Sequence, residues 1–159
     1  MKPISPDIIK TLNEVLTLEL TAINQYFLHG EMCGDWGFTK LHNVIRAESI
    51  DEMKHAEKLI ERILFLDGLP NVQRLGKITI GETVAEQFKL DLMLENKAIP
   101  ILNAGIKQCR ELGDNGTRAL FEEILVDEER HVDWLEAQLE LIRQIGIENY
   151  LAQQVEQEG

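Results

Sequence analysis

Two Glu-x-x-His motifs in the sequence each place a carboxylate and an imidazole on one face of a helix. Glu52 and His55 form the first pair, and Glu128 and His131 form the second. Residues three apart on a helix share a face. In both segments that face also carries apolar side chains at helical spacing, which marks it as the side that packs into a core. Because burying charged groups among apolar side chains is costly, both motifs predict a partner that neutralises them.

Two further glutamates, Glu19 and Glu95, interrupt apolar helical stripes in the same way. Each of these residues in the first half of the chain has a counterpart in the second half at the same sequence distance. An interval of 76 residues separates Glu19 from Glu95, Glu52 from Glu128 and His55 from His131. The chain is therefore predicted to form two helical hairpins, each of which contributes one Glu and one Glu-x-x-His to a shared centre.

Four carboxylates and two imidazoles inside a four-helix bundle are the ligand set of a carboxylate-bridged di-iron or di-manganese site. Two divalent cations would balance the four carboxylate charges. Two adjacent metals also let one oxidant take two electrons without the release of a one-electron radical. A single Glu-x-x-His would favour ordinary solvated glutamates on amphipathic helices. Six residues in register on apolar stripes favour the metal site.

Composition fits a cytoplasmic protein of one domain over residues 1–159. The chain carries 28 Asp and Glu against 16 Lys and Arg, an acidic excess that argues against a nucleic-acid partner. Cys33 and Cys109 form no CxxC pair, so a disulfide framework or a zinc site is not expected. The N-terminal residues lack the apolar run of a signal peptide. No apolar segment approaches the roughly 18 residues of a membrane span.

Hydrophobic periodicity and breaker residues predict an all-α chain. The expected elements are four long helices over about 6–35, 38–67, 82–112 and 117–145 and a short fifth helix over about 147–155. Residues 67–81 lack a helical period, and 15 extended residues reach about 50 Å. Since a 30-residue helix is about 45 Å long, this connector can run the full length of the bundle. The third helix would then run parallel to the second, which is the one long crossover of a ferritin-like four-helix bundle.

Two details of the last three helices carry further expectations. Pro100 removes a backbone hydrogen bond to Asn96 and should bend the third helix near Glu95. The fifth helix carries apolar residues of its own, and its position after Gly146 suggests packing against other subunits.

Four segments of the sequence resemble bacterioferritins, the haem-containing branch of the ferritins. They are ELTAINQYFLH at 19–29, ESIDEMKH at 48–55, ILFLDGLPN at 63–71 and DEERHVDWLE at 127–136. The resemblance covers essentially the whole chain. Rubrerythrins and the small subunits of ribonucleotide reductase also carry paired Glu-x-x-His motifs, but without these surroundings.

The resemblance implies a ferroxidase that stores iron. Fe²⁺ would be oxidised by dioxygen or peroxide at an intrasubunit di-iron centre, and Fe³⁺ would be kept as mineral inside a hollow shell of 24 identical subunits. The implied ligands, which are also the implied catalytic residues, are Glu19, Glu52, His55, Glu95, Glu128 and His131. Among them Glu52 and Glu128 would bridge the two irons, and Glu19 and Glu95 would be terminal.

The resemblance also implies a haem site at Met53. Met53 follows Glu52 and is rotated about 100° from it, so its side chain faces away from the metal centre. From the residues alone an exposed methionine is usually filler or interface packing. In bacterioferritins the methionine at this position is an axial ligand of haem b, one from each of two subunits. A ferredoxin would then supply electrons through the haem.

Other positions give weaker signals. Tyr26 and Trp134 lie near the proposed centre and would either pass electrons to it or simply pack in the core. Asp51 corresponds to an acid that binds iron on the cavity wall in some family members, together with a histidine four residues earlier. Here that earlier position is Ala47, which argues against the accessory site. His29 and His42 are expected to be structural or surface residues.

Two alternatives to iron storage stay open. A di-iron redox enzyme of the peroxidase or oxygenase type would need a substrate pocket or an electron-transfer domain, and the chain has no rubredoxin-like cysteine pairs. A structural cage with an inactive centre would show no rapid use of oxygen when Fe²⁺ is added.

Overall fold

The computed structural model describes residues 1–156, which form four long helices and one short one. The helices are α1 (Pro6–Asp35), α2 (Thr39–Phe65), α3 (Val84–Leu112), α4 (Asn115–Ile145) and α5 (Ile147–Ala152). No strand occurs over this part of the chain. The predicted all-α, ferritin-like bundle with a short fifth helix is confirmed.

Capping side chains decide where the helices begin. Ser5 caps α1 by accepting a hydrogen bond from the Asp7 N–H, as its position before Pro6 predicts. The third helix begins two residues later than predicted because Thr83 Oγ1 accepts from the Glu86 N–H at 3.2 Å. The fourth begins two residues earlier because Asp114 Oδ1 accepts from the Thr117 N–H at 3.0 Å. The Gly113 turn, with φ of +80°, is therefore shorter than the sequence indicates.

The fifth helix is shorter than predicted and packs partly against its own bundle. It ends at Ala152, three residues before the predicted end, and the Lys40 N–H then donates to the Gln154 carbonyl at 3.0 Å. Tyr150 is fully buried within its own bundle, where its O–H donates to Gln138 Oε1 at 2.7 Å. This helix thus folds back onto its own chain, while Ile147 and Val155 stay exposed.

The connector between α2 and α3 runs along α1 from its first half to its last turns. The Asn71 N–H donates to Asn13 Oδ1 at 2.8 Å, and the Gly76 N–H donates to Thr21 Oγ1 at 2.8 Å. The Gly81 N–H then reaches His29 Nε2 at 3.0 Å. Because α2 runs antiparallel to α1 and the connector travels back along α1, α3 starts beside the end of α1 and runs parallel to α2. The predicted long crossover is therefore confirmed.

The interior is divided into two hydrophobic clusters with a polar layer between them. The first core cluster includes Leu12, Leu16, Leu59, Leu102 and Ile124. The second core cluster includes Tyr26, Ile45, Phe88, Leu135 and Tyr150. On each long helix a buried glutamate lies where the apolar stripe passes from one cluster to the other. Over the described residues no helix is long and apolar enough to cross a membrane.

Candidate metal centre

The six predicted ligands come together in the polar layer, and all six are buried. They form two groups of four, in which one ligand atom from each residue lies within 4.8 Å of the others. The first group contains Glu19, Glu52, His55 and Glu128. The second group contains Glu52, Glu95, Glu128 and His131. Glu52 and Glu128 therefore belong to both groups, and each of the other four residues belongs to one.

Both imidazoles turn Nδ1 toward the shared glutamates. His55 Nδ1 lies 3.5 Å from Glu52 Oε2 and 3.4 Å from Glu128 Oε1. His131 Nδ1 lies 3.0 Å from Glu52 Oε1 and 3.6 Å from Glu128 Oε2. Each shared carboxylate thus offers a different oxygen to each half of the centre.

The other two glutamates each serve one half. Glu19 Oε2 lies 3.5 Å from His55 Nδ1, and Glu95 Oε1 lies 3.6 Å from His131 Nδ1. The hairpin formed by α1 and α2 and the hairpin formed by α3 and α4 therefore contribute equivalent groups. The 76-residue interval of the sequence becomes an approximate two-fold arrangement of ligand atoms.

These close contacts lack hydrogen-bond geometry, and that leaves polar atoms without partners. Over residues 1–156 the buried side-chain N and O atoms that lack a hydrogen bond all belong to the six residues of the centre. They are Glu19 Oε2, both oxygens of Glu52, His55 Nδ1, Glu95 Oε2, Glu128 Oε1, and both ring nitrogens of His131. Buried polar groups are nearly always paired, and an exception needs an explanation such as an ion. Donors of this kind converging on one spot fit a pair of metal ions.

The protonation states of the metal-free centre reflect the same crowding of charge. Burial lowers the pKa of His55, but the carboxylates of Glu128 and Glu52 outweigh it and hold the pKa at about 11. Burial likewise opposes the charged form of His131, and the nearby glutamates raise its pKa far above the usual range. Burial, together with Glu128, raises the pKa of Glu95. Without metal, protons therefore compensate the carboxylates.

Residues outside the six orient two of them. The Tyr26 O–H donates to Glu95 Oε1, and the Tyr26 ring packs edge-on against His131. Asp127 Oδ2 lies 2.7 Å from His55 Nε2, on the side of the ring that faces away from the centre. The sequence singled out Tyr26 but not Asp127. The sequence did contain a signal for Asp127. This residue directly precedes the predicted ligand Glu128, so it occupies the next position around α4.

Little space separates the carboxylates. A cavity of about 10 Å³ lies among the four glutamates and is closed by Leu18, Ala22, Leu94 and Ala98. That is about the space of one water-sized sphere. The four carboxylates are therefore closely packed around a very small cavity.

A wider cavity of about 260 Å³ opens from the surface to His131. Its lining includes Ala47, Glu48, Asp51 and Trp134. Glu48 is 8% exposed, and burial raises its pKa to about 8. The sequence analysis did not identify Glu48 as a residue near the centre. Its position four residues before Glu52, on the same face of α2, could have indicated this.

A second buried polar group pins the crossover to the bundle. Gln25 Nε2 donates to Asp91 Oδ1 at 2.8 Å, and His29 Nδ1 lies 2.8 Å from the same oxygen. Since His29 Nε2 accepts from the Gly81 N–H, its proton is on Nδ1 and is donated to Asp91. His29 is thus structural, as expected. His42 is also structural, since its Nδ1 lies 2.8 Å from the Gly30 carbonyl oxygen.

Met53 lies on the outward side of α2. It is 55% exposed, and Ile50, one turn earlier, is 40% exposed. Trp134 packs edge-on against Phe88 with ring centroids 5.6 Å apart, which favours core packing as its role.

Comparison with known proteins agrees with this architecture. The ferritin-like domain matches residues 9–145. The chain is 55% identical to a bacterioferritin of Mycolicibacterium paratuberculosis and 55% identical to bacterioferritin BfrA of Mycobacterium tuberculosis, over 93% of each chain. It is 51% identical to a bacterioferritin of Streptomyces coelicolor over 96% of this chain and 91% of that one.

Proposed function

The chain belongs to the bacterioferritins, a family built on the ferritin-like domain, and on that premise we propose that it stores iron. Fe²⁺ is the substrate, and dioxygen or peroxide is the oxidant. Oxidation takes place at the six-residue centre, and the Fe³⁺ product is kept as mineral in a shell of 24 identical subunits. The whole chain, residues 1–159, acts as a single ferritin-like domain.

The partnerless polar atoms of the centre are the observation that carries this proposal. An apolar interior would not keep four carboxylates and two imidazoles in close contact unless something compensated them. Oxygen and imidazole donors suit Fe²⁺. Two divalent ions match the four carboxylate charges, and two adjacent sites supply two electrons to one oxidant.

Each residue has a role that follows from its position. Glu52 and Glu128 belong to both groups of ligand atoms, so they would bridge two ions. Glu19 and Glu95 each close one site, and His55 and His131 each offer Nδ1. Fe²⁺ bound here would take the place of protons in compensating the four carboxylates. The two shared carboxylates would keep two Fe²⁺ ions adjacent, and the two core clusters enclose the centre except where the surface cavity reaches His131.

Met53 fits one side of a haem site. Its thioether is a soft donor, it is more than half exposed, and it lies beside another exposed apolar side chain. One chain supplies one such ligand, so haem b would be held between Met53 residues of two subunits. The haem would supply a redox group for reducing stored Fe³⁺, with a ferredoxin as the electron donor.

The test is to add Fe²⁺ to the metal-free protein in air. Oxygen uptake, iron retained per subunit and particle size by size-exclusion chromatography are measured together. The proposal expects rapid oxygen uptake and many irons per subunit in a large particle. In the Glu128→Ala variant, oxygen uptake should fall to the rate of free Fe²⁺ in the same buffer.

The same experiment separates the two alternatives. A di-iron redox enzyme would hold at most two irons per subunit and would turn over peroxide or an organic substrate. A structural cage would form the large particle but would take up oxygen no faster than the Glu128→Ala variant.

A further inference from the structure

We propose that Asp127 is a positioning residue that makes the His55 half of the centre the tighter of the two metal positions. The inference rests on the proposed function in one respect, namely that the six-residue centre binds metal. It adds that the two positions differ in affinity, although their ligands are equivalent, and it names the residue that makes them differ.

The difference lies in the outer nitrogen of each imidazole. His55 Nε2 lies 2.7 Å from Asp127 Oδ2, which is within hydrogen-bond distance. His131 Nε2 is buried, and among residues 1–156 no protein group forms a hydrogen bond with it. One ring is therefore held at both nitrogens once metal is bound, and the other is held only at Nδ1.

The sequence makes this difference unexpected. The 76-residue interval that relates the ligands also relates Asp51 to Asp127. Under strict two-fold symmetry Asp51 would contact His131 Nε2. Asp51 instead lies beside the surface cavity and has Arg130 Nη2 3.9 Å away. Of these two aspartates, which are equivalent in sequence spacing, Asp127 contacts an imidazole of the centre and Asp51 lies outside the centre.

Arg130 adds to the difference by holding Asp127 in place. Arg130 Nη2 donates to Asp127 Oδ1 at 2.9 Å, while Oδ2 of the same carboxylate faces His55. Both oxygens of Asp127 are therefore engaged. The carboxylate is 31% exposed, so its contact with His55 is partly shielded from water.

A metal-binding imidazole must present a lone pair on one nitrogen and carry its proton on the other. By accepting from Nε2–H, Asp127 fixes this tautomer and the orientation of the His55 ring before metal arrives. Loss of such a partner typically costs about 10–100-fold in metal affinity. No carboxylate of the described part of the chain accepts from His131 Nε2 in this way, so His131 must select its tautomer and orientation on binding, which weakens its half.

The test uses Co²⁺ alone, measured by calorimetry and by visible absorption of the full-length protein. Two single-position backgrounds separate the halves. Glu95→Ala leaves the His55 half, and Glu19→Ala leaves the His131 half. We expect tighter Co²⁺ binding in the Glu95→Ala background. Adding Asp127→Ala there should weaken binding by about 10–100-fold and should change the Glu19→Ala background by less than about 2-fold.

Two controls separate positioning from charge. Asp51→Ala removes the equivalent aspartate and should leave both backgrounds unchanged. Asp127→Asn keeps an acceptor for Nε2–H without the charge, so it should restore most of the affinity lost in Asp127→Ala. Thermal melting by circular dichroism checks that each variant is folded.

Each other outcome overturns the inference. Equal weakening of both halves by Asp127→Ala, or an equal effect of Asp51→Ala, would identify a general charge effect. No weakening by Asp127→Ala would remove its role, while the proposed function would stand. Wild-type protein that binds no Co²⁺ at the centre would overturn the inference and the proposed function together.

Discussion

Glu52 and Glu128 face each other across the polar layer, and each extends one oxygen toward His55 and the other toward His131. This reciprocal relationship makes them the two residues on which both halves of the centre depend. Glu19 and Glu95 contribute to one half each. Removing a shared glutamate and removing an unshared one should therefore have different consequences.

Glu52→Ala should abolish tight binding at both metal positions, whereas Glu19→Ala should abolish only one. The reason is that Glu52 supplies an oxygen to each half and Glu19 supplies one to the His55 half. Anaerobic Fe²⁺ titration should give close to zero, one and two ions per subunit for Glu52→Ala, Glu19→Ala and wild type. Glu57→Ala, an exposed glutamate on the same helix, serves as the control. Equal loss in the two ligand variants would refute the shared role of Glu52.

Met53→Leu should remove haem absorbance and leave Fe²⁺ oxidation unchanged. Leucine keeps the size and apolar character of the side chain but lacks the thioether that binds iron, and Met53 faces away from the six-residue centre. Visible spectra after haem reconstitution and oxygen uptake after Fe²⁺ addition measure the two effects. Met93→Leu, another exposed methionine, is the matched control. Haem binding that survives Met53→Leu would contradict the assignment.

Asp91→Ala should destabilise the fold by about 2–4 kcal/mol and should loosen the crossover. The change leaves the Gln25 amide and the His29 ring without their buried acceptor, and each unsatisfied group costs about 1–3 kcal/mol. Thermal melting and hydrogen exchange at the Gly81 amide, which donates to His29, are the measurements. Lys89→Ala on the exposed side of α3 should change neither. Unchanged protection at Gly81 would show that the crossover does not depend on this contact.

Asp114→Asn should reduce stability near neutral pH and lose that effect in acid. Burial raises the pKa of Asp114, but hydrogen bonds from Thr117 and the nearby Arg62 outweigh it and hold the pKa below its ordinary value of 3.8. Since the folded state depresses the pKa, the charged form stabilises the fold above that ordinary value. This contribution is lost as the pH falls through the folded-state pKa.

Urea unfolding at one fixed protein concentration measures this effect. Asparagine can still cap α4 through its side-chain oxygen. The difference from wild type therefore reports the loss of the charge contact with Arg62 together with the loss of the second oxygen, which accepts from the Thr117 hydroxyl at 2.7 Å, in total about 1–2 kcal/mol. The difference should be constant above about pH 5 and should shrink below about pH 4. A difference that grows toward acid would contradict the sign of the shift.

Much of the fold and of the centre can be predicted from the sequence because few explanations exist for charged residues on the apolar face of a helix. Glutamate and histidine on apolar stripes have no low-energy place in a core without compensation, so Glu19 and His55 mark the centre directly. The crossover follows from a match of lengths. The first residues of α3 and α4 are less predictable. Thr83 caps α3, although the sequence pattern places it inside the helix, and Asp114 caps α4, although the pattern places it in the preceding turn.

The features that sequence reasoning missed depend on side-chain orientation. Asp51 and Asp127 are equivalent in spacing, yet only Asp127 contacts an imidazole. Tyr150 could pack on its own bundle or on another subunit, and helical periodicity does not distinguish the two. Asp91 lies one turn before Glu95 on the same stripe, but its partner His29 is on another helix, so the pairing is a product of tertiary packing.

The most direct test of the central claim is a crystal of the protein soaked anaerobically in a ferrous salt, with anomalous scattering measured at the iron edge. Two peaks per subunit should lie in the polar layer. One should lie within coordination distance of Glu19 and His55, the other within coordination distance of Glu95 and His131, and both should touch Glu52 and Glu128. No peak among these six side chains, with iron bound only at the outer surface, would contradict the account.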